Sequence, residues 1–400
     1  MIRFIDAVMG SGKSTYAIRE ICESHDEKFI VAAITLAEVD RYCAACGLQQ
    51  PESEFSKMSA LENLIDAGKS VAITHALLLG INENEKLLNE IKNQGYRLIL
   101  DEAISSPIFP IAIERDTLKT CESAGLISIN QETKLITWIA EADYQDRVAL
   151  RDACVNGEAY CADSAFAVGL MPKAIFETFR HVDVLTYMAE YSLLYKYFQF
   201  YSMPVTINTL SSGVLSSALP VYTGKQFKNF IALDSSTKRK LSSIKLSSSA
   251  VSKIKEKDRI RVTKAISGFF DAHRGHVAKD DRLWTTYKNA MEKFTSSCQR
   301  PLHDSSNFLQ HTCRGTNDYQ NTIAAAYVLD KYLNPGIVKF LANNGISYSR
   351  SKGGLPKGED MWALSEMLQW IWRTRIRQGQ NIELYVPAVR MRNLLENWLS

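Results

Sequence analysis

Two hydrophobic periods alternate along this chain. Runs that are apolar throughout, such as Phe29-Ile30-Val31-Ala32-Ala33-Ile34, predict strands buried on both faces, as in a parallel sheet. Val71-Ala72-Ile73, Tyr96–Leu100 and Val182–Tyr187 read the same way. Between them, apolar residues recur at helical spacing over 14–24, 36–46, 58–67 and 83–94. This alternation predicts an α/β fold with a mainly parallel sheet flanked by helices. Residues 135–138 and 166–168 predict further strands, and 171–179 a helix. Tyr195, Tyr197, Phe198, Phe200 and Tyr201 crowd one helical stretch, a pattern of core packing more than of base stacking.

The pattern breaks at Met203-Pro204, which divides the chain into domains 1–204 and 205–400. A Ser/Lys-rich polar loop or insertion follows at about 234–257. Helical spacing resumes over 258–270 and 284–294. A strand–loop–helix pattern covers 308–333 and is stopped by Asn334-Pro335-Gly336. A basic, glycine-rich loop at 350–358 precedes an apolar helix over 360–378 whose later turns carry arginines. Residues 382–386 predict a strand and 388–399 a closing helix.

Candidate chemistry starts at the first strand. Phe4-Ile5-Asp6-Ala7-Val8-Met9-Gly10-Ser11-Gly12-Lys13-Ser14-Thr15 reads as strand, tight loop and helix start. Glycines at 10 and 12 let backbone N–H groups approach an anion, and the helix N-terminus adds partial positive charge. Gly10, Ser11, Gly12, Lys13, Ser14 and Thr15 therefore form a candidate nucleotide-phosphate cradle. Lys13 would reach the β/γ-phosphates and Ser14 would hold Mg²⁺. Ala7 stands where the general phosphate-loop pattern has its first glycine. Farther on, the apolar run 96–100 ends in Asp101-Glu102. Asp101 would hold Mg²⁺ through water, and Glu102 would orient or deprotonate an attacking water.

Composition narrows the setting. The 400 residues are 46% hydrophobic and 23% charged, as in a soluble globular protein of two or three domains. Net charge is only +3, yet between Lys225 and Arg300 there are 18 Lys/Arg against 7 Asp/Glu, an excess of +11. Such a local excess suggests a polyanion partner. An apolar strand begins almost at once, which leaves no room for a signal peptide, and no run approaches the ~18 apolar residues of a membrane span. The eight cysteines are scattered, so the expected location is cytoplasmic, in a host cell if the chain is phage-encoded. Cys22-x-x-His25 and Cys43-x-x-Cys46 have zinc-like spacing. Their positions in a βα unit predict opposite sheet edges, and hence idle thiols.

In this order the motifs resemble superfamily 2 helicases (DEAD/DEAH-like ATPases), most closely the short helicase-like proteins of tailed phages. The resemblance spans nearly the whole chain through short matching stretches. The 7–15 loop resembles motif I, in the variant that carries Ala7, and Asp101-Glu102-Ala103-Ile104 resembles motif II. Thr35, Thr74 and His75 sit where this family touches a nucleic-acid backbone. Thr186, in Leu185-Thr186-Tyr187, sits where a hydroxyl links the ATP site to that path. Cys313-Arg314-Gly315-Thr316-Asn317-Asp318 resembles motif V, which adds Thr316 and Asn317 to the nucleic-acid contacts. Residues 369–377 resemble motif VI, Q-x-x-G-R-x-x-R. Gln369 and Arg373 fit it, Trp372 replaces the glycine, and Ile376 takes the second arginine position between Arg375 and Arg377.

The resemblance implies two tandem RecA-like domains that hydrolyse ATP with Mg²⁺ and move along single- or double-stranded DNA in preference to RNA. A phage role in replication or recombination goes with it. It also implies an arginine, Arg373 or Arg377, at the developing charge, worth about 10³–10⁵ in rate. Two other readings stay open. One is an ATP-gated interaction module that separates no strands. The other is a phosphate-loop kinase of small molecules, which needs neither the Asp-Glu pair nor a large second domain.

Overall fold

The structure, a computed structural model, describes residues 1–52, 56–141, 147–273, 275–295, 307–313, 315, 318–348 and 357–400. The chain forms two compact units, Met1–Pro220 with Leu333–Ser349, and Val221–Tyr332 with Arg350–Ser400.

The first unit is built on a seven-stranded sheet. Its strands are β1 (Ile2–Asp6), β2 (Phe29–Ala33), β3 (Val71–Thr74), β4 (Arg97–Asp101), β10 (His181–Thr186), β11 (Val205–Ser211) and β12 (Val214–Ser216), in the spatial order β12-β11-β1-β10-β4-β2-β3. All neighbours are parallel except the β11–β12 hairpin at one edge. β2 is buried at every position, as its unbroken apolar run requires. Helices α1 (Lys13–Glu23), α2 (Leu36–Cys46), α3 (Lys57–Asp66), α4 (His75–Gly80) and α5 (Glu85–Gln94) supply the crossovers. The strands after Pro204 pair with β1, so this sheet extends past the break in the sequence pattern.

Between β4 and β10 the chain inserts a five-stranded antiparallel sheet. It consists of β5 (Ile108–Ile111), β6 (Ile127–Ile129), β7 (Leu135–Trp138), β8 (Glu158–Asp163) and β9 (Phe166–Leu170), in the order β5-β9-β8-β7-β6. Helices α6 (Thr117–Ser123) and α7 (Val148–Val155) bury Leu118, Cys121, Leu150 and Ala153 against it. The helix expected over 171–179 is a single turn, α8 (Ala174–Glu177). The aromatic stretch forms α9 (Leu193–Phe200), where Tyr197 and Phe198 are fully buried, the packing role its spacing predicts.

The second unit holds a four-stranded, all-parallel sheet. Its strands are β13 (Ile231–Leu233), β14 (Arg282–Thr285), β15 (Ala324–Tyr327) and β16 (Ile382–Tyr385), in the order β13-β16-β15-β14. Its helices are α10 (Ser248–Ser252), α11 (Glu256–Ala272), α12 (Lys288–Thr295), α14 (Glu359–Ile371) and α15 (Val389–Leu399).

Four sequence expectations differ here. Over 308–333, expected as strand, loop and helix, the described residues hold the strand β15 and no helix. The polar stretch 234–257 contains the short α10 and the first two residues of α11. Trp284 lies in β14 and not in a helix; its indole is fully buried and meets Phe308 at 5.0 Å. Asn334-Pro335-Gly336 starts a helix where the breakers suggested a stop. Asn334 caps α13 (Pro335–Asn343) by accepting from the Gly336 N–H at 2.8 Å, and Pro335 takes a first-turn position where its missing N–H costs nothing. α13 packs on the inserted sheet of the first unit. Phe340 meets Tyr160 and Phe200, and Asn343 donates to the Ala162 carbonyl at 2.9 Å.

Candidate nucleotide site

In a parallel sheet every strand delivers its following loop to one edge. β1, β10, β4, β2 and β3 therefore bring the 7–12 loop, Thr186, Asp101-Glu102, Thr35 and Thr74 to the same carboxyl edge. Asp6 aligns with Thr186, and Leu185 with Asp101.

The loop's shape comes from its glycines. Gly10 and Gly12 have φ of 80° and 87°, and Gly12 immediately precedes α1. A Cβ built on Gly12 would meet nothing within 4 Å, so the cradle in front of the helix N-terminus is open. The buried Ser11 hydroxyl has no hydrogen-bond partner among the described residues. Lys13 Nζ closes the loop by donating to the Ala7 and Val8 carbonyls at 2.5 and 3.1 Å. Anchorage from below comes from Asp6, whose carboxylate accepts from the Met188 and Ala189 N–H groups at 3.0 and 2.8 Å. The Ala7 N–H donates to the Thr186 carbonyl at 3.1 Å.

Ser14 and Asp101, 87 residues apart, meet directly: Ser14 Oγ donates to Asp101 Oδ1 at 3.0 Å. Two residues that the sequence reading did not single out complete the carboxylate's shell. The Tyr42 hydroxyl and Arg41 Nη2, both from α2, donate to Asp101 Oδ2 at 3.0 and 3.2 Å. No motif marks them, since α2 packs on the sheet at a place only topology sets. Asp101 is 6% exposed. Burial and the Glu102 charge push its carboxyl above the usual range, against Arg41, Ser14 and Tyr42. Burial and Asp101 hold the Tyr42 phenol well above 10, so it stays a donor. Glu102 has φ of 92°, a backbone region L-residues rarely occupy, while its N–H donates to the Leu185 carbonyl at 3.1 Å. An open glycine cradle, an orphan hydroxyl and a serine–aspartate contact are the donor set that a nucleotide triphosphate with Mg²⁺ requires.

Thr35 and Thr74 are the N-caps of α2 and α4, accepting from the Glu38 and Leu77 N–H groups at 3.4 and 3.3 Å. His75 Nε2 lies 3.2 Å from the Ala32 carbonyl. Thr186 is 2% exposed at the end of β10.

In the second unit, Gln369 and Arg373 are both buried, Arg373 at 8% exposure near Cys313. Cys313 and Arg373 are thus close enough for their charges to interact. Trp372 fills core space against Phe227 and Trp398, with centroids at 4.8 and 5.8 Å. The expected helix ends at Ile371, and Arg377 emerges exposed on a short 3₁₀ turn, Arg375–Gln378. Thr316, Asn317 and most of the 350–358 loop lie outside the described residues.

The cysteine reading needs correction. Cys22 lies in the last turn of α1 and Cys46 ends α2; both helices run back from the carboxyl edge, so their ends emerge together. Cys46 is held up at about 12 by burial and by the Cys22 thiol beside it.

The fold is mixed α/β, with RecA-like domains in tandem. The structure is similar to one titled XPD helicase (TM-score 0.50, 10% identity, covering 99% of this chain and 94% of that one). An apo XPD structure also matches, with a TM-score of 0.49, 11% identity, and coverage of 99% and 95%. Residues 221–399 match the family described as the YonV C-terminal Rossmann-like domain. Over 438 aligned residues the chain is 27% identical to the SPbeta prophage-derived uncharacterized protein YonV of Bacillus subtilis strain 168, covering 100% of this chain and 98% of that one. No helix among the described residues is long and apolar enough to cross a membrane.

Proposed function

We propose that this chain is an ATP hydrolase of the helicase or translocase kind, with DNA as its preferred track. The observation that carries the reading is the Ser14–Asp101 contact beside an open phosphate cradle at the carboxyl edge of a parallel sheet. Bound Mg²⁺ would neutralise phosphate oxygens during phosphoryl transfer. Ser14 and Asp101 are the residues that would hold it. Lys13 would exchange its carbonyl partners for phosphate oxygens, and Glu102 would take a proton from the attacking water.

For the arginine that meets developing charge we favour exposed Arg377 over buried Arg373. Gln369 and Arg373 would then hold the segment that carries it. We assign Thr35, Thr74 and His75 to the backbone-contact edge, and Thr186 to its link with the phosphate loop. The prophage origin of the YonV relative supports a part in phage DNA replication or recombination. The burial of Arg373 and the tryptophan at 372 favour one second reading, an ATP-gated interaction module with little turnover.

Phosphate release measured side by side with single-stranded DNA, duplex DNA and RNA decides between them. The expected result is stimulation by a polynucleotide, strongest with DNA, that Lys13→Ala and Glu102→Gln abolish. Hydrolysis indifferent to all three polymers would sink the translocase reading.

A further inference from the structure

His273, His276 and Glu383 form, among the described residues, the one group of three side chains whose metal-ligating atoms all lie within 4.8 Å of one another. They come from separate elements. His273 is the C-cap of α11, and a tight turn follows in which the His276 and Val277 N–H groups donate to the His273 carbonyl at 3.1 and 3.0 Å. That turn sets the two imidazoles side by side, centroids 5.3 Å apart and rings at 82°. Glu383 is the second residue of β16, an internal strand whose other three positions are buried and apolar. A carboxylate is out of character in such a strand.

The surroundings suit a cation. His273 Nδ1 is buried and has no hydrogen-bond partner among the described residues. Among the described residues Arg239 is a cation nearby, and it is committed elsewhere: its Nε donates to Asp234 at 3.1 Å and its Nη1 to the Gly268 carbonyl at 3.4 Å. Ligands of one tetrahedral zinc at ~2.0–2.2 Å lie about 3.3–3.5 Å apart.

We infer that His273, His276 and Glu383 bind a Zn²⁺ ion, leaving a coordination position open to water and fastening the end of α11 to β16. Two imidazoles and one carboxylate match this metal's ligand preference, and the set is separate from the nucleotide site.

The test uses the full chain with any affinity tag removed. Zn²⁺ binding is followed by calorimetry, and Co²⁺ binding by visible absorption. Wild type should bind one more Zn²⁺ than His276→Ala does, and Glu383→Gln should weaken that site at least tenfold. Co²⁺ should give d–d bands without the thiolate charge-transfer bands that Cys22 and Cys46 would produce. Zn²⁺ should raise the Tm of wild type and leave that of His276→Ala unmoved. His276 is exposed, so its loss leaves folding intact. Equal stoichiometry and affinity in all three proteins would overturn the assignment, as would Co²⁺ spectra dominated by thiolate.

Discussion

Glu102 carries both the site's chemistry and its strain. A left-handed backbone at a non-glycine residue costs on the order of 1–3 kcal/mol, and it persists only where the surroundings impose it. The adjacent β4–β10 pairing and the Leu185 carbonyl impose it here. Replacing Glu102 by Gly removes the strain and the proposed base together. Glu102→Gly should therefore gain about 1 kcal/mol in urea unfolding while losing phosphate release; a less stable variant would show that the backbone is not strained. Glu102→Gln should lose turnover with no gain in stability. Asp6 works from below the loop. Asp6→Ala would leave two buried N–H groups without an acceptor and should cost roughly 2–3 kcal/mol by the same measurement. Asp101 and Glu102 were legible as adjacent acids after an apolar strand. Asp6 and Tyr42 were not, because their partners are 182 and 59 residues away.

At the scale of elements, ionic side chains lock the far end of the sheet to α1. Arg3 of β1 and Arg97 of β4 both pair with Asp183 of β10 and with Glu20 of α1. Burial acts to raise the Asp183 carboxyl, but hydrogen bonds from His181 and Arg3 and the charge of Arg3 overcome it and hold it at about 2. A depressed folded value means stability that is complete above the unfolded value near 3.8 and lost as pH falls toward 2. The drop corresponds to about 2 kcal/mol. Asp183→Asn should flatten the pH dependence of unfolding between about 4 and 2; an unchanged slope would remove Asp183 as its source. The strands involved were plain in the apolar pattern. Trp284 was misread because one residue in a short apolar run serves either period. The Asn-Pro-Gly stretch was misread because the same three residues suit a helix start as well as a stop.

Over the whole molecule, proposed function depends on what each unit contributes. If Arg377 meets the developing charge, Arg377→Ala should lower turnover by about 10³-fold or more while ATP affinity stays within a few-fold. Arg373→Ala should instead lower the stability of the second unit, since its side chain is buried. Wild-type turnover in Arg377→Ala would refute the choice. The basic excess between 225 and 300 lies in the second unit. If it grips a phosphate backbone, polynucleotide affinity should fall at least about tenfold between ~50 and ~200 mM salt. A flat response would assign that charge to plain solvation.

By itself the sequence determined what depends on neighbours along the chain. Apolar periods set the strands and helices, glycines at 10 and 12 set the loop, and adjacent acids closed β4. Tertiary structure decided what depends on strand order. Only the arrangement β1-β10-β4-β2 puts Ser14 against Asp101 and swings Tyr42 and Arg41 onto the same carboxylate. Only packing buries Arg373, exposes Arg377 and sets Cys22 beside Cys46. The physical reason is common to these cases. A local rule reads backbone preference and period, whereas a site joins residues whose separation along the chain carries no trace of their contact.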